Sequence, residues 1–338
     1  MIIVMKKTAT DDEIKTIIAE IKDNDLKPMP LYGTERTVIA VIGDERILDK
    51  QHIKSMPGVS DAMLVLPPYK LVSRETKFED TIVTVKDGIK IGGKEIQIMA
   101  GPCAVENYEF VSQAAKACKK SGAKILRGGA FKPRTGPYSF QGLGEEGLKI
   151  LQQVGKEENM ATVTEVLNPK DIELVAQYTD ILQVGARNMQ NFNLLEELGK
   201  VDKPVLLKRG MSAKIKEWLL AAEYIMSNGN PNVIMCERGI RTFEQEIRST
   251  LALTSVPIIK KLSHLPIIVD PSHSAGKPYL IPPMAKAAIA CGADGIIVEV
   301  HPKPEEALCD GQQALLPDIF DTMMQEIKPI AKVLGRVL

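Results

Sequence analysis

The stretch PIIVDPSH, residues 266–273, is a short β-branched run that ends in a polar tail, and it is one of eight such runs. Stretches with helical periodicity separate most of them. Eight strands that alternate with helices over about 240 residues predict an α/β fold, a (β/α)₈ TIM barrel across residues 95–338. A doubly wound open sheet is the alternative, but it usually has fewer strands and needs a glycine-rich phosphate-binding turn after its first strand. The other seven runs are IQIMAGPC, AKILRGGAFK, ATVTEV, ILQVGARN, PVLLKRG, VIMCERG and GIIVEVH.

Residues 1–66 follow a different pattern, with the order βαββαβ. The predicted strands are IIVM (2–5), LKPMPLY (26–32), TVIAVIG (37–43) and AMLVL (62–66). Thr10 and Glu13 form the capping box of a first helix, and a weaker helix covers 46–56. This order predicts a ferredoxin-like, ACT-like small domain, in which the prolines of LKPMPLY indicate an edge strand. Residues 67–94 are then a proline-led linker followed by a hairpin.

The composition excludes several classes of protein. Lys and Arg number 43, as do Asp and Glu, so the formal net charge is zero. This balance argues against a nucleic-acid or membrane-surface protein, which usually carries a basic excess. Apolar runs stay well short of the 18 or so residues of a membrane span, and the start of the chain does not read as a secretory signal. Five scattered cysteines without a C-x-x-C pair indicate free thiols, so we expect a cytoplasmic protein.

Ionisable residues follow nearly every predicted barrel strand, at the end where such barrels carry their active sites. Several positive charges at one mouth are costly unless anions neutralise them. The set therefore predicts a ligand with several negative charges, phosphates above all. The alternative is that each cation pairs with a local carboxylate, as Glu237 could with Arg238. The cations are Arg127, Lys132, Arg134, Arg187, Lys208 and Arg238.

A second set at the same strand ends has the character of metal ligands. Cys103, His273, Glu299 and Asp310 follow or lie in strands one, seven and eight, which are neighbours in a closed barrel. One sulfur, one nitrogen and two carboxylates suit Mn, Fe, Co or Zn. Each residue also has a structural alternative, since a lone cysteine is often a buried small hydrophobe and both His273 and Asp310 lie in ordinary turn sequences. His301, on the strand face of Glu299, could replace one of the four.

Seven motifs together resemble the 3-deoxy-D-arabino-heptulosonate 7-phosphate (DAHP) synthases, in the subgroup with an N-terminal ferredoxin-like domain. The resemblance covers essentially the whole chain. KPRT (132–135) is similar to DAHP synthases, whereas the sister octulosonate 8-phosphate synthases carry a stretch like KANRSS. Gly136 departs from the serine that commonly follows KPRT in the family. The motifs are GPCAVEN, LRGGAFKPRTGPYSFQGLG, QVGARN, LLKRG, CERGIRTFE, VDPSHSAG and VEVHPKPEEALCDG.

The resemblance implies a reaction and a set of residue roles. Phosphoenolpyruvate, erythrose 4-phosphate and water would give the seven-carbon sugar acid and phosphate, the first step of the shikimate pathway. Cys103, His273, Glu299 and Asp310 would hold one divalent metal ion, Mn²⁺ first, with Fe²⁺, Co²⁺ or Zn²⁺ as alternatives. Lys132, Cys103 and His273 would be catalytic, with Lys132 delivering a proton. Phosphoenolpyruvate would contact Arg127, Lys132, Glu165, Ala186, Arg187, Lys208 and Arg238, and erythrose 4-phosphate would contact Lys132, Pro133, Arg134, Thr135 and Asp270.

The resemblance also implies feedback inhibition by tyrosine or phenylalanine at the small domain, and a homotetramer. A dimerisation or solubility module is the alternative for that domain. Two rival functions are a related phosphoenolpyruvate-dependent sugar-acid synthase of the octulosonate type, and a non-catalytic barrel that senses aromatic amino acids. The complete cation and ligand sets argue against the sensor, because a silent protein has no need of so costly a site.

Overall fold

The computed structural model describes residues 1–33, 36–43, 47–63, 68–134 and 136–338. The chain forms two compact units. One consists of Met1–Asp80 with Lys261–His264, and the other of Thr81–Lys260 with Leu265–Leu338. In the described part of the chain, we find no helix with the length and apolar character needed to cross a membrane.

The first unit contains a four-stranded antiparallel sheet with the strand order β2-β3-β1-β4. The predicted βαββαβ order is confirmed. The last strand begins at Val59, three residues before the predicted start at residue 62. Val59 and Ala62 both pack in the core of this unit, although polar residues separate them in the sequence. The predicted residues 64–66 lie outside the described part of the chain. The elements are β1 (Ile2–Met5), α1 (Asp11–Asp23), β2 (Lys27–Tyr32), β3 (Thr37–Ile42), α2 (Lys50–Ser55) and β4 (Val59–Met63).

Local sequence signals explain two of these elements. At the start of α1, the Glu13 amide donates to Thr10 Oγ1 at 3.3 Å and the Thr10 amide donates to Glu13 Oε2 at 2.8 Å, which completes the predicted capping box. Among the described residues of this unit, strand β2 pairs with β3 alone and is an edge strand. Pro28 and Pro30 are tolerated there because one side of the strand needs no amide donors.

A buried histidine makes the stability of the first unit depend on pH. His264 is 3% exposed, and its Nε2 lies 2.7 Å from the Leu71 carbonyl oxygen. Burial lowers the pKa of its imidazole from the ordinary 6.5 to about 4. The unfolded chain then binds the proton more tightly, so the free energy of unfolding falls as pH drops from about 6.5 towards 4, by roughly 1.4 kcal/mol per pH unit. We expect thermal unfolding of the full chain to show this slope, and His264→Gln to flatten it; equal slopes would contradict the assignment.

The second unit is a closed barrel of eight parallel strands, so the predicted (β/α)₈ fold is confirmed. Strand β7 pairs with both β8 and β14, which closes the barrel. The strands are β7 (Gln97–Gly101), β8 (Ile125–Arg127), β9 (Ala161–Glu165), β10 (Ile181–Val184), β11 (Val205–Lys208), β12 (Val233–Glu237), β13 (Ile267–Val269) and β14 (Gly295–Glu299). The helices are α3 (Tyr108–Lys120), α4 (Glu145–Glu157), α5 (Ile172–Tyr178), α6 (Phe192–Leu198), α7 (Ile215–Ser227), α8 (Ser255–Leu262), α9 (Pro271–Ala275), α10 (Ile281–Ala290) and α11 (Pro317–Val333).

A short hairpin precedes the barrel, within the residues 67–94 for which the sequence predicts a linker and a hairpin. Strands β5 (Val83–Thr84) and β6 (Lys90–Ile91) pair antiparallel. Their apolar side chains belong to the same buried cluster as inward-facing residues at the beginning of the barrel strands, among them Ile125 and Ile181. The hairpin therefore covers the amino-terminal end of the barrel. Active sites of such barrels lie at the opposite, carboxyl-terminal end of the strands.

Candidate active site

A cavity of about 370 Å³ lies at the carboxyl ends of the barrel strands. All six cations predicted from the strand ends line it, together with the predicted Pro133, Glu165 and Ala186. Thr135, the remaining member of KPRT, lies outside the described residues. Two further cations, Arg241 and Arg248, also line the cavity. The structure therefore gathers at least eight positive charges around one concave site.

Local carboxylates neutralise only part of this set. Glu237 accepts from Arg209 Nη1 at 2.8 Å and does not pair with Arg238. The Arg238 guanidinium donates instead to Ser249 Oγ at 3.0 Å and to the His273 carbonyl at 2.9 Å. Within the described part of the chain, neither Arg187 nor Arg241 forms an ion pair. The cavity is thus built for anions that come from solution.

Two of the cations do meet buried carboxylates beneath the cavity. Lys208 Nζ lies 2.5 Å from Asp270 Oδ2, and Arg127 Nη1 lies 3.0 Å from Glu299 Oε1. Arg127 is 4% exposed, and its Nε is buried without a hydrogen-bond partner among the described residues. A buried guanidinium donor of this kind is available to an acceptor on a ligand or to a water molecule.

The four residues of the predicted ligand set come together. One donor atom from each of Cys103, His273, Glu299 and Asp310 lies within 4.8 Å of the other three. Cys103 follows β7, His273 lies in α9, Glu299 ends β14, and Asp310 adopts a left-handed φ of 52° in the loop beyond. Aspartate is one of the few residues that tolerate this conformation without being glycine.

Hydrogen bonding fixes which nitrogen of His273 faces the cluster. Nδ1 lies 2.8 Å from Asp270 Oδ2, a carboxylate that only accepts, so Nδ1 carries the proton. Nε2 then presents a lone pair 3.2 Å from Glu299 Oε1. Two acceptors that face each other, with a thiol and a second carboxylate beside them, fit a divalent cation between them.

Burial controls the charge states in this cluster. Burial lowers the pKa of His273, although Asp270 and Glu299 oppose the shift, so the imidazole stays neutral as a metal ligand requires. Burial also raises the pKa of the Glu299 carboxyl. For Asp310 burial acts in the same direction, but the charge and hydrogen bond of Arg248, together with the charges of His273 and Lys132, outweigh it and lower the pKa. A bound cation would favour the ionised form of both carboxylates.

Comparisons with known proteins agree with this geometry. Residues 80–333 match the family described as "DAHP synthetase I family", and residues 1–67 match the "DAHP synthase ferredoxin-like domain". The chain belongs to the DAHP synthase family. It is 51% identical over 335 residues to the phospho-2-dehydro-3-deoxyheptonate aldolase of Thermotoga maritima, covering 99% of both chains. It is 28% identical over 271 residues to the 2-dehydro-3-deoxyphosphooctonate aldolase of Magnetococcus marinus, covering 75% of this chain and 92% of the relative.

Solved structures give the same result. The crystal structure of the Thermotoga maritima DAHP synthase has a TM-score of 0.79 at 50% identity, covering 99% of this chain and 98% of that chain. A truncated form of the same synthase has a TM-score of 0.75, covering 80% of this chain and 98% of that chain. These matches establish an enzyme of the DAHP synthase class on a TIM barrel with a ferredoxin-like domain.

The structure adds contacts for three residues near this site. Asp270, predicted to contact the sugar phosphate, is 1% exposed and lies against Lys208 and His273. His301, the alternative ligand, is not in the cluster, since its Nε2 faces Glu106 at 3.7 Å. The sulfur of Cys309 lies 3.4 Å from the sulfur of Cys103. Cys309 is not among the site residues predicted from the sequence, although it directly precedes the candidate ligand Asp310.

Gly129 leaves the space that Lys132 occupies in this site. Lys132 Nζ donates to the Cys103 carbonyl and lies 3.0 Å from both that oxygen and the Cys103 sulfur. A Cβ at residue 129 would lie 2.9 Å from Lys132 Cδ and 3.0 Å from the Cys103 carbonyl. We expect Gly129→Ala to displace the ammonium group and to lower kcat/KM by roughly 10–100-fold, as a misplacement of about 1 Å can.

The matched control for this change is Gly93→Ala, whose new Cβ would meet only Ile82 Cδ1, at 3.9 Å. The steady-state rate of phosphate release compares the two variants. Wild-type kcat/KM in Gly129→Ala would show that the position of Lys132 is not critical.

Proposed function

We propose that this chain catalyses the metal-dependent condensation of phosphoenolpyruvate with erythrose 4-phosphate and water, giving DAHP and phosphate. The observation that carries the proposal is the combination of a polycationic cavity with an adjoining Cys103–His273–Glu299–Asp310 cluster in a member of this family. Two phosphate groups and a carboxylate supply the negative charge that the cavity requires.

Phosphoenolpyruvate has partners at both of its ends. Its carboxylate would be bound by Arg127, whose buried Nε has no other described partner, and by Lys132. Its phosphate would be bound by Arg187, Lys208 and Arg238. Glu165 and Ala186 line the same cavity, and burial raises the pKa of Glu165. These contacts hold the enol carbon in a fixed orientation, which removes much of the entropic barrier to reaction.

Erythrose 4-phosphate would bind with its phosphate at Arg134, and the predicted contacts of Pro133 and Thr135 belong to the same KPRT segment. A divalent ion held by Cys103, His273, Glu299 and Asp310 would supply Lewis-acid polarisation of the aldehyde carbonyl. The enol carbon attacks the aldehyde carbon, water adds to the carbon that bears the phosphate, and the product loses that phosphate. Lys132, whose Nζ lies 3.0 Å from the sulfur of Cys103, would deliver a proton to the new hydroxyl.

Mn²⁺ is the metal we propose, with Fe²⁺, Co²⁺ and Zn²⁺ as alternatives for the same donors. His273, Cys103, Glu299 and Asp310 would hold it. Asp270 would act behind His273 by fixing its tautomer, which is the usual arrangement around metal-bound histidine. We therefore assign Asp270 a positioning role in place of a direct sugar contact.

The first unit is proposed to be regulatory, with tyrosine or phenylalanine as the inhibitor. A cavity of about 430 Å³ in this unit is lined by apolar residues together with Arg36, Lys77 and Glu79. Apolar walls and charges of both signs suit an aromatic amino acid. We assign residues 1–66 to regulation, 67–94 to the connection and 95–338 to catalysis, in a cytoplasmic homotetramer. Phosphate release measured against the concentration of each amino acid tests the inhibition.

The substrate is tested by phosphate release from phosphoenolpyruvate with either erythrose 4-phosphate or arabinose 5-phosphate. We expect turnover with the four-carbon sugar and little with the five-carbon sugar. The reverse preference would support the octulosonate-type reaction of the relatives at 28% identity. If reduced and Mn²⁺-loaded protein turned over neither sugar, the result would support the rival hypothesis of a non-catalytic barrel that senses aromatic amino acids.

A further inference from the structure

Two residues outside the proposed ligand set link its two carboxylates. Gln313 Nε2 donates to Glu299 Oε2 at 2.6 Å, and its Oε1 accepts from Arg248 Nη1 at 2.8 Å. The same Nη1 lies 3.1 Å from Asp310 Oδ2. A continuous chain of hydrogen bonds therefore joins Glu299, on strand β14, to Asp310, in the loop beyond it.

The chemistry of Gln313 determines the direction of this link. An ionised carboxylate only accepts hydrogen bonds and a guanidinium only donates them, whereas a carboxamide has one group of each kind. Gln313 is 1% exposed, so both of its polar atoms need partners inside the protein. Glutamate at this position would lack the donor for Glu299, and methionine would lack both groups.

The backbone of Arg248 is fixed to the helix that carries His273. The Arg248 amide donates to the Ala275 carbonyl at 3.3 Å, and the Ser249 amide donates to the Ser274 carbonyl at 2.8 Å. Gly276, at a φ of +69°, allows this approach, because a Cβ there would lie 2.7 Å from Arg248 Cβ. Arg248 thus connects helix α9 with both carboxylates of the cluster.

We propose that Arg248 and Gln313 are positioning residues that set the separation of Glu299 and Asp310 for the divalent metal. They act on the reaction through metal affinity and do not contact the reacting atoms. This inference rests on the metal centre of the proposed function. The hairpin after β12, which is closed by the Ile240–Thr250 bridge, would then help to form the metal centre.

The test compares Mn²⁺ affinity in metal-stripped full-length variants, with free Mn²⁺ read by electron paramagnetic resonance. We expect Gln313→Met and Arg248→Met each to raise the Kd for Mn²⁺ about 10–100-fold, the usual effect of removing an outer hydrogen-bond partner. Because both residues belong to one link, the double variant should be weaker than wild type by much less than the product of the two single effects. Arg248→Lys, which keeps a donor, should recover part of the affinity.

The control is Gln312→Met, which changes the exposed neighbour of Gln313 and should leave the Kd unchanged. A merely structural role predicts lower melting temperatures for the Arg248 and Gln313 variants with a wild-type Kd, and that result would overturn the inference. Wild-type protein that binds no Mn²⁺ would remove the metal centre itself, and the inference with it. The two failures are therefore distinguishable.

Discussion

Replacing His273 by alanine should lower kcat by at least about 10³-fold, because the proposed metal would contribute several kcal/mol of transition-state charge stabilisation. His273 is the nitrogen donor of the cluster, and its Nδ1 donates a hydrogen bond to Asp270 Oδ2, with 2.8 Å between the two atoms. The variant should also bind Mn²⁺ far more weakly than wild type. Steady-state phosphate release and a Mn²⁺ titration measure the two effects on the same preparation.

The matched control is His52→Ala, on the small domain, where the side chain is 57% exposed and contacts Glu20. It should retain wild-type kcat and wild-type Mn²⁺ affinity. If His273→Ala bound Mn²⁺ as tightly as wild type, the nitrogen would not be a ligand and the proposed centre would be wrong.

Replacing Lys132 by methionine should lower kcat/KM by roughly 10²–10³-fold, the usual effect of removing one charged donor from an anion site. Lys132 is buried, lines the cavity, and lies 3.0 Å from the sulfur of Cys103. Methionine fills similar space without the charge. The loss should be in kcat as well as in KM, because the proposed proton transfer needs the ammonium group.

Lys200→Met is the control, since Lys200 is exposed and pairs only with Glu197 on the surface among the described residues. A Lys132→Met enzyme with wild-type kcat and a raised KM would limit Lys132 to substrate binding. An unchanged kcat/KM would remove it from the site altogether.

The barrel could be predicted from sequence because its signal is local and repeated. Each strand is a β-branched run of a few residues, and the end of each run shows which side chains reach the catalytic face. The same rule predicted the meeting of Cys103, His273 and Glu299, since β13, β14 and β7 are neighbours in the closed sheet. No register or side-chain detail was needed for these predictions.

Arg248 and Gln313 could not be predicted in this way. Arg248 lies well beyond the end of β12, and its path to Asp310 depends on a hairpin closed by the Ile240–Thr250 bridge. Gln313 is an uncharged residue whose importance appears only when its two hydrogen-bond partners are known. The place of Asp270 is a similar case, because the sequence puts it at a strand end but does not show that it points behind His273.

A Mn²⁺ titration of metal-stripped wild-type protein during turnover of phosphoenolpyruvate and erythrose 4-phosphate tests the proposed metal centre most directly. We expect no phosphate release without metal, and a rate that rises to a plateau at one Mn²⁺ per chain. Full turnover by protein shown by elemental analysis to be free of divalent metal would contradict it, and would leave Cys103, His273, Glu299 and Asp310 without their proposed role.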